Sequence, residues 1–242
     1  MGVELSKTDA SAAGGGDTSK DPAVAFLLPT YKTPFLTADL LMAASACGKF
    51  NGCTFVLLLD VGDPQLLAYK NLVANMREKG LSVGFFVFDG TPYCGKINRV
   101  APIVNADCVC VIDSSHLPFV NGESSVAEVV RTWLTSTSEP MRIGTFVAEG
   151  FYPVVTRKLI DRLGYMFHPL CGGRIAAENW LLTIASELGI VSMVPDCKVI
   201  ESSADAVEIE GVDDPDDIRW TGETLCQTLE DEAERLGQYL LR

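Results

Sequence analysis

The chain has 242 residues, 48% of them hydrophobic, 21% charged and 8% aromatic. That composition supports a folded core and excludes a fibrous or wholly disordered protein. Nineteen Lys and Arg stand against 32 Asp and Glu, a net charge of −13, which excludes an evenly basic surface of the kind that grips nucleic acid through its phosphates. No apolar run reaches the roughly 18 residues of a membrane span. The first 21 residues lack the apolar stretch of a secretory signal, so a cytoplasmic protein is expected.

Residues 1–21 are rich in Gly, Ala, Ser and Asp and read as a disordered tail. Order begins at Ala23 with AVAFLLP, a buried-type strand. Thr33-Pro34 then pairs a helix cap with Pro at the first helical position, opening a helix that Gly48 ends. CTFVLLLD is a second strand ending at Asp60. Asp63-Pro64 opens a second helix, closed by Gly80, and LSVGFFVFD is a third strand ending at Asp89. A helix is expected over 95–106, strained by Pro102. DCVCVID is a fourth strand ending at Asp113, with Cys108 and Cys110 on one face at strand period. Further along, 122–134 reads as a helix, MRIGTFVA as a strand, TRKLIDRLG as a short helix and 175–188 as a longer one. IVSMVPDCKVI gives one or two short strands. The final residues, 205–242, hold 12 acidic residues against Arg219, Arg235 and Arg242, and end in an amphipathic helix over 223–241.

Strands alternating with helices through short connections imply right-handed βαβ units. The expected fold is α/β, a mostly parallel central sheet with helices on both faces. Ligands of such sheets sit beyond the carboxyl ends of the strands. Four apolar strands end there in polar groups: Pro29-Thr30-Tyr31, Asp60 with Asp63, Asp89, and Asp113-Ser114-Ser115-His116. Such residues also start loops and cap helices, and Asp63 before Pro64 reads better as a cap than as a ligand. The eight cysteines form no CxxC pair and read as buried reduced thiols. There is no G-x-G-x-x-G after the first strand, no Walker P-loop and no G-x-S-x-G elbow.

Four segments in order resemble the GT-A-fold glycosyltransferases, in particular the family-2-like group that uses nucleotide sugars. AFLLPTYKTPFLTADLL resembles the opening strand, turn and helix of that group, and VLLLDVGD resembles its second strand, ending in a base-reading acid. GKINRVAPIVNADCVCVIDSSHLPF resembles the Lys/Asn helix followed by the D-x-D strand. YPVVTRKLIDRLGYMFHPLCGGRIAAENWLLTIASELGIVSMVPD resembles the acceptor half. The match spans roughly residues 23–201, and among relatives it is similar to viral and bacteriophage-type enzymes that glycosylate modified DNA bases. It implies a GT-A-like catalytic domain over 22–204, with a nucleotide half over 22–120 and an acceptor half over 121–204, flanked by the tail 1–21 and an acidic extension 205–242.

The resemblance also implies roles. Pro29, Thr30, Tyr31, Asp60, Lys96, Asn98, Asp113 and Ser115 would bind the donor, expected to be a UDP-sugar. Trp180 and Arg174 would meet the acceptor, and Glu178 would be the base of an inverting transfer. Asp113, His116 and Glu201 would ligate Mn²⁺ or Mg²⁺, although Ser115 stands where the D-x-D pattern has its second acid. A Glu early in a helix also favours the helix dipole without any catalysis. Arg157, Lys158 and Arg174 form the one basic concentration near the acceptor half, and Gly172-Gly173 reads as a mobile loop. The acceptor is open between a modified DNA base, a glycan and a lipid. Two other readings keep the fold: a sugar nucleotidyltransferase, which would want a Gly-rich basic loop that LLPTYKTPF lacks, and a degenerate binding or assembly subunit.

Overall fold

The computed structural model describes residues 23–147, 152–171 and 173–201. The expected tail 1–21 and extension 205–242, with its terminal helix, lie outside the described residues. In chain order the elements are β1 (Val24–Pro29), α1 (Pro34–Cys47), β2 (Cys53–Asp60), α2 (Leu66–Glu78), β3 (Val83–Phe88), α3 (Tyr93–Val100), β4 (Cys108–Val111) and β5 (His116–Val120). They continue with α4 (Val126–Thr135), β6 (Ile143–Val147), β7 (Pro153–Thr156), α5 (Arg157–Leu163), α6 (Arg174–Glu187) and β8 (Val191–Glu201).

The eight strands form one sheet in the order β3-β2-β1-β4-β7-β6-β8-β5. β1 pairs in parallel with β2 on one side and with β4 on the other, and β2 pairs in parallel with β3. The chain therefore winds outward through β1, β2 and β3 and returns to the far side of β1 as β4. The carboxyl ends of β1 and β4 flank the topological switch point, where ligands bind in open α/β sheets. The second half of the chain is mixed: β7 runs antiparallel to β4 and β6, β8 is parallel to β6, and β5 is antiparallel to β8. Four of the seven strand pairings are parallel, so the expected mostly parallel sheet is present, with its antiparallel pairings gathered in the second half.

Period-two alternation splits the apolar residues between the two faces. Phe26, Leu57, Cys108 and Cys110 pack on one face under α1, α2 and α4, through Leu41, Tyr69 and Trp133. Leu27, Leu58, Val109 and Val111 pack on the other under α3, α5 and α6, through Ile97, Ile160 and Trp180. Helices thus cover both faces, as expected. The seven described cysteines are free, and only Cys47 is exposed.

Several boundaries shift for local reasons. α3 stops at Val100, before Pro102, whose ring cannot continue a helix. α4 starts later than the expected residue 122, at a capping box in which Ser125 accepts from the Glu128 amide and the Glu128 carboxylate accepts from the Ser125 amide. HLPFV, to which the sequence reading gave no element, is strand β5. It lies at the sheet edge, where the missing amide of Pro118 costs no ladder bond.

Candidate active site

β4 ends at Val111 and the chain turns tightly through Asp113. The Asp113 side chain makes the turn: Oδ1 accepts from the Ser115 amide at 3.0 Å and from the Ser115 hydroxyl at 2.8 Å. His116 Nδ1 lies 2.6 Å from the same oxygen and 2.9 Å from the Ser115 hydroxyl. The other oxygen, Oδ2, accepts from Arg174 Nη1 at 3.1 Å. Arg174, the first residue of α6, also donates through Nε to Glu178 Oε1 at 2.6 Å. One guanidinium therefore joins two carboxylates that are 65 positions apart in the chain. Tyr152 lies beneath, its ring 5.4 Å from the His116 ring and 5.9 Å from the Arg174 guanidinium carbon, within cation–π range.

The electrostatics follow from burial and these contacts. Burial raises the Asp113 carboxyl, but the bonds from His116 and Ser115 and the charges of His116 and Arg174 outweigh it. The group is held below the ordinary aspartate range. Glu178 goes the other way: burial raises it, and Arg174 offsets only part of the rise. Burial opposes the charge on Arg174, but Glu178, Tyr93 and Asp113 hold it firmly protonated. Burial, helped by the charge of Asp113, pushes the Tyr152 phenol up to about 12.

Each expected residue finds a place. Asp60 and Lys96 meet each other: Lys96 Nζ lies 2.5 Å from Asp60 Oδ2, linking the end of β2 to α3. Pro29 ends β1, and Tyr31 beyond it is exposed with Lys32 Nζ 4.7 Å above its ring. Thr30 spends its hydroxyl on structural contacts. Its hydroxyl is buried in a cluster with Tyr69 Oη at 2.7 Å, Thr33 Oγ1 at 3.1 Å and Thr37 Oγ1 at 3.2 Å. Thr37 in turn reaches the Thr33 carbonyl at 3.1 Å and Ser114 Oγ at 3.2 Å. The cluster ties α1 and α2 to the turn after β4. Asp63 is not the cap it was expected to be: α2 starts at Leu66 with Gln65 at its N-cap, and Asp63 forms the turn before it. It accepts from the Gln65 amide and from the amide of Lys32, which it steadies at a left-handed φ of 57°.

Three further residues are engaged in packing and backbone contacts. Asn98 spends its amide on backbone 68 and 69 positions away: Nδ2 donates to the Phe167 carbonyl at 2.7 Å, and Oδ1 accepts from the amides of Met166 and Phe167 at 3.0 and 2.9 Å. Together with the Cys94 thiol, which donates to the Gly173 carbonyl at 3.5 Å, it fixes the segment leading to Arg174. Trp180 is 1% exposed, packed against Tyr165 and His168, and offers no surface for an acceptor to stack on. Arg157 turns its guanidinium onto the carbonyls of Ala101, Val104 and Ala106, leaving the expected basic patch. Glu178 sits beyond the first turn of α6, which holds no acid, so the helix dipole does not account for it. Gly172 lies outside the described residues. Tyr152 carried no role in the sequence reading, because nothing local marks a Tyr before β7 as neighbour to a turn 36 positions earlier.

Among the described residues no group of three or more His, Cys, Asp or Glu gathers that could hold a metal ion. Asp113 and His116 supply two adjacent donors. Glu201, the third expected ligand, lies opposite His116 in the β5–β8 ladder, and its side chain is outside the described residues. A carboxylate oxygen suits Mn²⁺ or Mg²⁺, whereas an imidazole nitrogen suits a transition ion such as Mn²⁺ rather than Mg²⁺, so the donor types match Mn²⁺ better than Mg²⁺.

No family model matches the sequence, and no curated protein matches it. Solved structures do. One is the mannosyltransferase PcManGT from Pyrobaculum calidifontis in complex with GDP-Man and Mn²⁺, at 14% identity and a TM-score of 0.51, covering 72% of this chain and 57% of that one. Another is TarS 1-349 of S. aureus in complex with UDP, at 12% identity and a TM-score of 0.55, covering 73% of this chain and 59% of that one. The chain has the GT-A fold. At this identity the likeness is one of fold. The GT-A chain described here spans just under three fifths of the length of each of those two structures. Among the described residues no helix is long and apolar enough to cross a membrane.

Proposed function

We propose that the protein is a glycosyltransferase that moves a sugar from a nucleotide-sugar donor to an acceptor hydroxyl with inversion. One observation carries the reading. In a GT-A sheet, the turn after β4 at the switch point brings Asp113 to the same guanidinium as Glu178, a half-buried carboxylate of raised basicity from the second half of the chain.

In this reading Asp60, paired with Lys96 at the end of β2, sits at the nucleoside end of the site, and Tyr31 offers an exposed ring just past the end of β1. Glu178 takes the proton of the acceptor hydroxyl. Burial suits it to that task, since a raised carboxylate is a stronger base than a free one. Asp113, held ionised, keeps the turn after β4 in shape and fixes His116. Asp113, His116 and Glu201 would hold a divalent cation, which when bound neutralises charge on the leaving diphosphate. The donor is proposed as a UDP-sugar or GDP-sugar. A modified DNA base, a glycan and a lipid remain the acceptor classes.

The test is release of free nucleotide from a panel of UDP- and GDP-sugars in the presence of Mn²⁺. Turnover of one donor by the wild type, falling about 10²- to 10⁴-fold in Glu178→Gln, supports the reading. Absence of turnover together with absence of nucleotide binding refutes it in favour of a binding subunit.

A further inference from the structure

We infer that Arg174 is the ligand of the donor's diphosphate, and that it reaches it by leaving Asp113 and Glu178. The inference rests on the glycosyl-transfer reading and adds a residue and an order of events to it.

Arg174 occupies an unfavourable place by local rules. It is the first residue of a 14-residue helix with no side-chain cap, and a cation there opposes the helix dipole. Burial opposes its charge as well. Two carboxylates hold it in place, and both belong to the reacting site. Asp60 and Lys96 pair with each other. Asp113 and Glu178 set two carboxylates against Arg174, with His116 beside Asp113. A nucleoside diphosphate arriving here faces those carboxylates, and a guanidinium turned toward it would add to the neutralisation that a cation held by Asp113 and His116 would supply. Lys96 is 12% exposed and Arg174 is 39% exposed, so Arg174 is the freer of the two. Its planar fork matches phosphate oxygens as well as it matches carboxylates.

The exchange also acts on Glu178. While Arg174 Nε donates to Oε1 at 2.6 Å, the carboxylate spends its lone pair on the guanidinium. Once the guanidinium turns to the diphosphate, Glu178 is a half-buried carboxylate without that partner and is a stronger base. The step then balances. The acceptor oxygen bonds to the anomeric carbon, and its proton goes to Glu178. The bond from the anomeric carbon to the phosphate oxygen breaks with its electron pair going to the diphosphate, whose new charge faces Arg174. The base is therefore freed only when a donor is in place.

The experiment compares UDP with UMP, and GDP with GMP, by calorimetry at fixed Mn²⁺ on wild type, Arg174→Gln and Arg174→Lys. The expected result is that the diphosphate-over-monophosphate preference falls at least tenfold in Arg174→Gln and is partly restored in Arg174→Lys. This ratio is unaffected by loss of folded protein, which lowers both affinities together. A companion readout is the titration of Glu178 by carboxyl carbon NMR. UDP should raise its midpoint in wild type and leave it unchanged in Arg174→Gln. A preserved ratio in Arg174→Gln, or a Glu178 midpoint that UDP does not move in wild type, overturns the role given to Arg174 and leaves the transferase reading standing. A wild type that binds neither diphosphate overturns both.

Discussion

The Ser115 hydroxyl donates to Asp113 Oδ1 at 2.8 Å from the position where a D-x-D pattern would place a second carboxylate. Two carboxylates there would repel across the turn. The hydroxyl closes it instead, with the Ser115 amide and His116 completing the set around one oxygen. Asp113 is thereby held ionised through contacts its own loop supplies.

Removing that hydroxyl should show in the titration of Asp113. The folded-state value of this group is depressed, so its contribution to stability is present above the ordinary aspartate range and is lost as pH falls through the depressed value. Ser115→Ala should raise the midpoint of Asp113 and bring acid unfolding to a higher pH. Carboxyl carbon NMR and acid denaturation followed by circular dichroism measure the two effects. An unmoved Asp113 midpoint would remove Ser115 from the account.

Glu178 should set an acidic limb in the rate. Burial raises its folded-state value, and the base must be ionised to act. The rate with saturating donor should therefore climb with pH through a midpoint above the ordinary glutamate range. Glu178→Gln should abolish that limb along with most of the turnover while leaving nucleotide affinity in place. A limb that persists in the variant would assign the base to another group.

Asn98→Ala separates structural support from donor binding. Three hydrogen bonds to the backbone of Met166 and Phe167 disappear, each worth about 0.5–1.5 kcal/mol net. Urea unfolding should show a loss of about 1–3 kcal/mol, with UDP-over-UMP preference kept. The opposite pattern, full stability with weakened UDP binding, would return Asn98 to the donor.

Gly144 has no room for a side chain. A Cβ there would lie 2.8 Å from both Trp133 Cζ2 and Val194 Cγ2, and the Trp133 ring is clamped by packing. Gly144→Ala should cost about 1–3 kcal/mol by overpacking, read as a lower urea midpoint with unchanged slope. A neutral result would mean that Trp133 yields more readily than its burial suggests.

The first half of the fold was the more legible. β1, β2, β3 and β4 are short apolar runs closed by turn residues, and period-two alternation placed Cys108 and Cys110 on one face, where they pack. Asp113 and Glu178 were legible as site candidates by resemblance. Their meeting at one guanidinium was not, because no local pattern links positions 65 apart. Lys96 and Asn98 share one helix and looked equally suited to phosphate. Only the fold reveals that Asn98 faces a backbone segment 68 residues on. Trp180 was misread although its signal was available, since Ala177, Trp180, Leu181 and Ile184 recur at the helical spacing of a buried stripe. Pro118 concealed β5, because its tolerance depends on edge position, which a single strand does not encode.

The hydroxyl cluster under the turn after β4 has one property that its packing alone does not suggest. Thr37 owns a single hydroxyl proton and has two acceptors in reach, the Thr33 carbonyl and Ser114 Oγ, at nearly equal distances. Passing the proton from one to the other requires only rotation about a carbon–oxygen bond, with every heavy atom staying where it is. Ser114 follows Asp113 directly, so a change of charge there can be answered by reorienting dipoles along Thr37, Thr30 and Tyr69 without repacking. The ground beneath the turn after β4 is stiff to shape and compliant to charge.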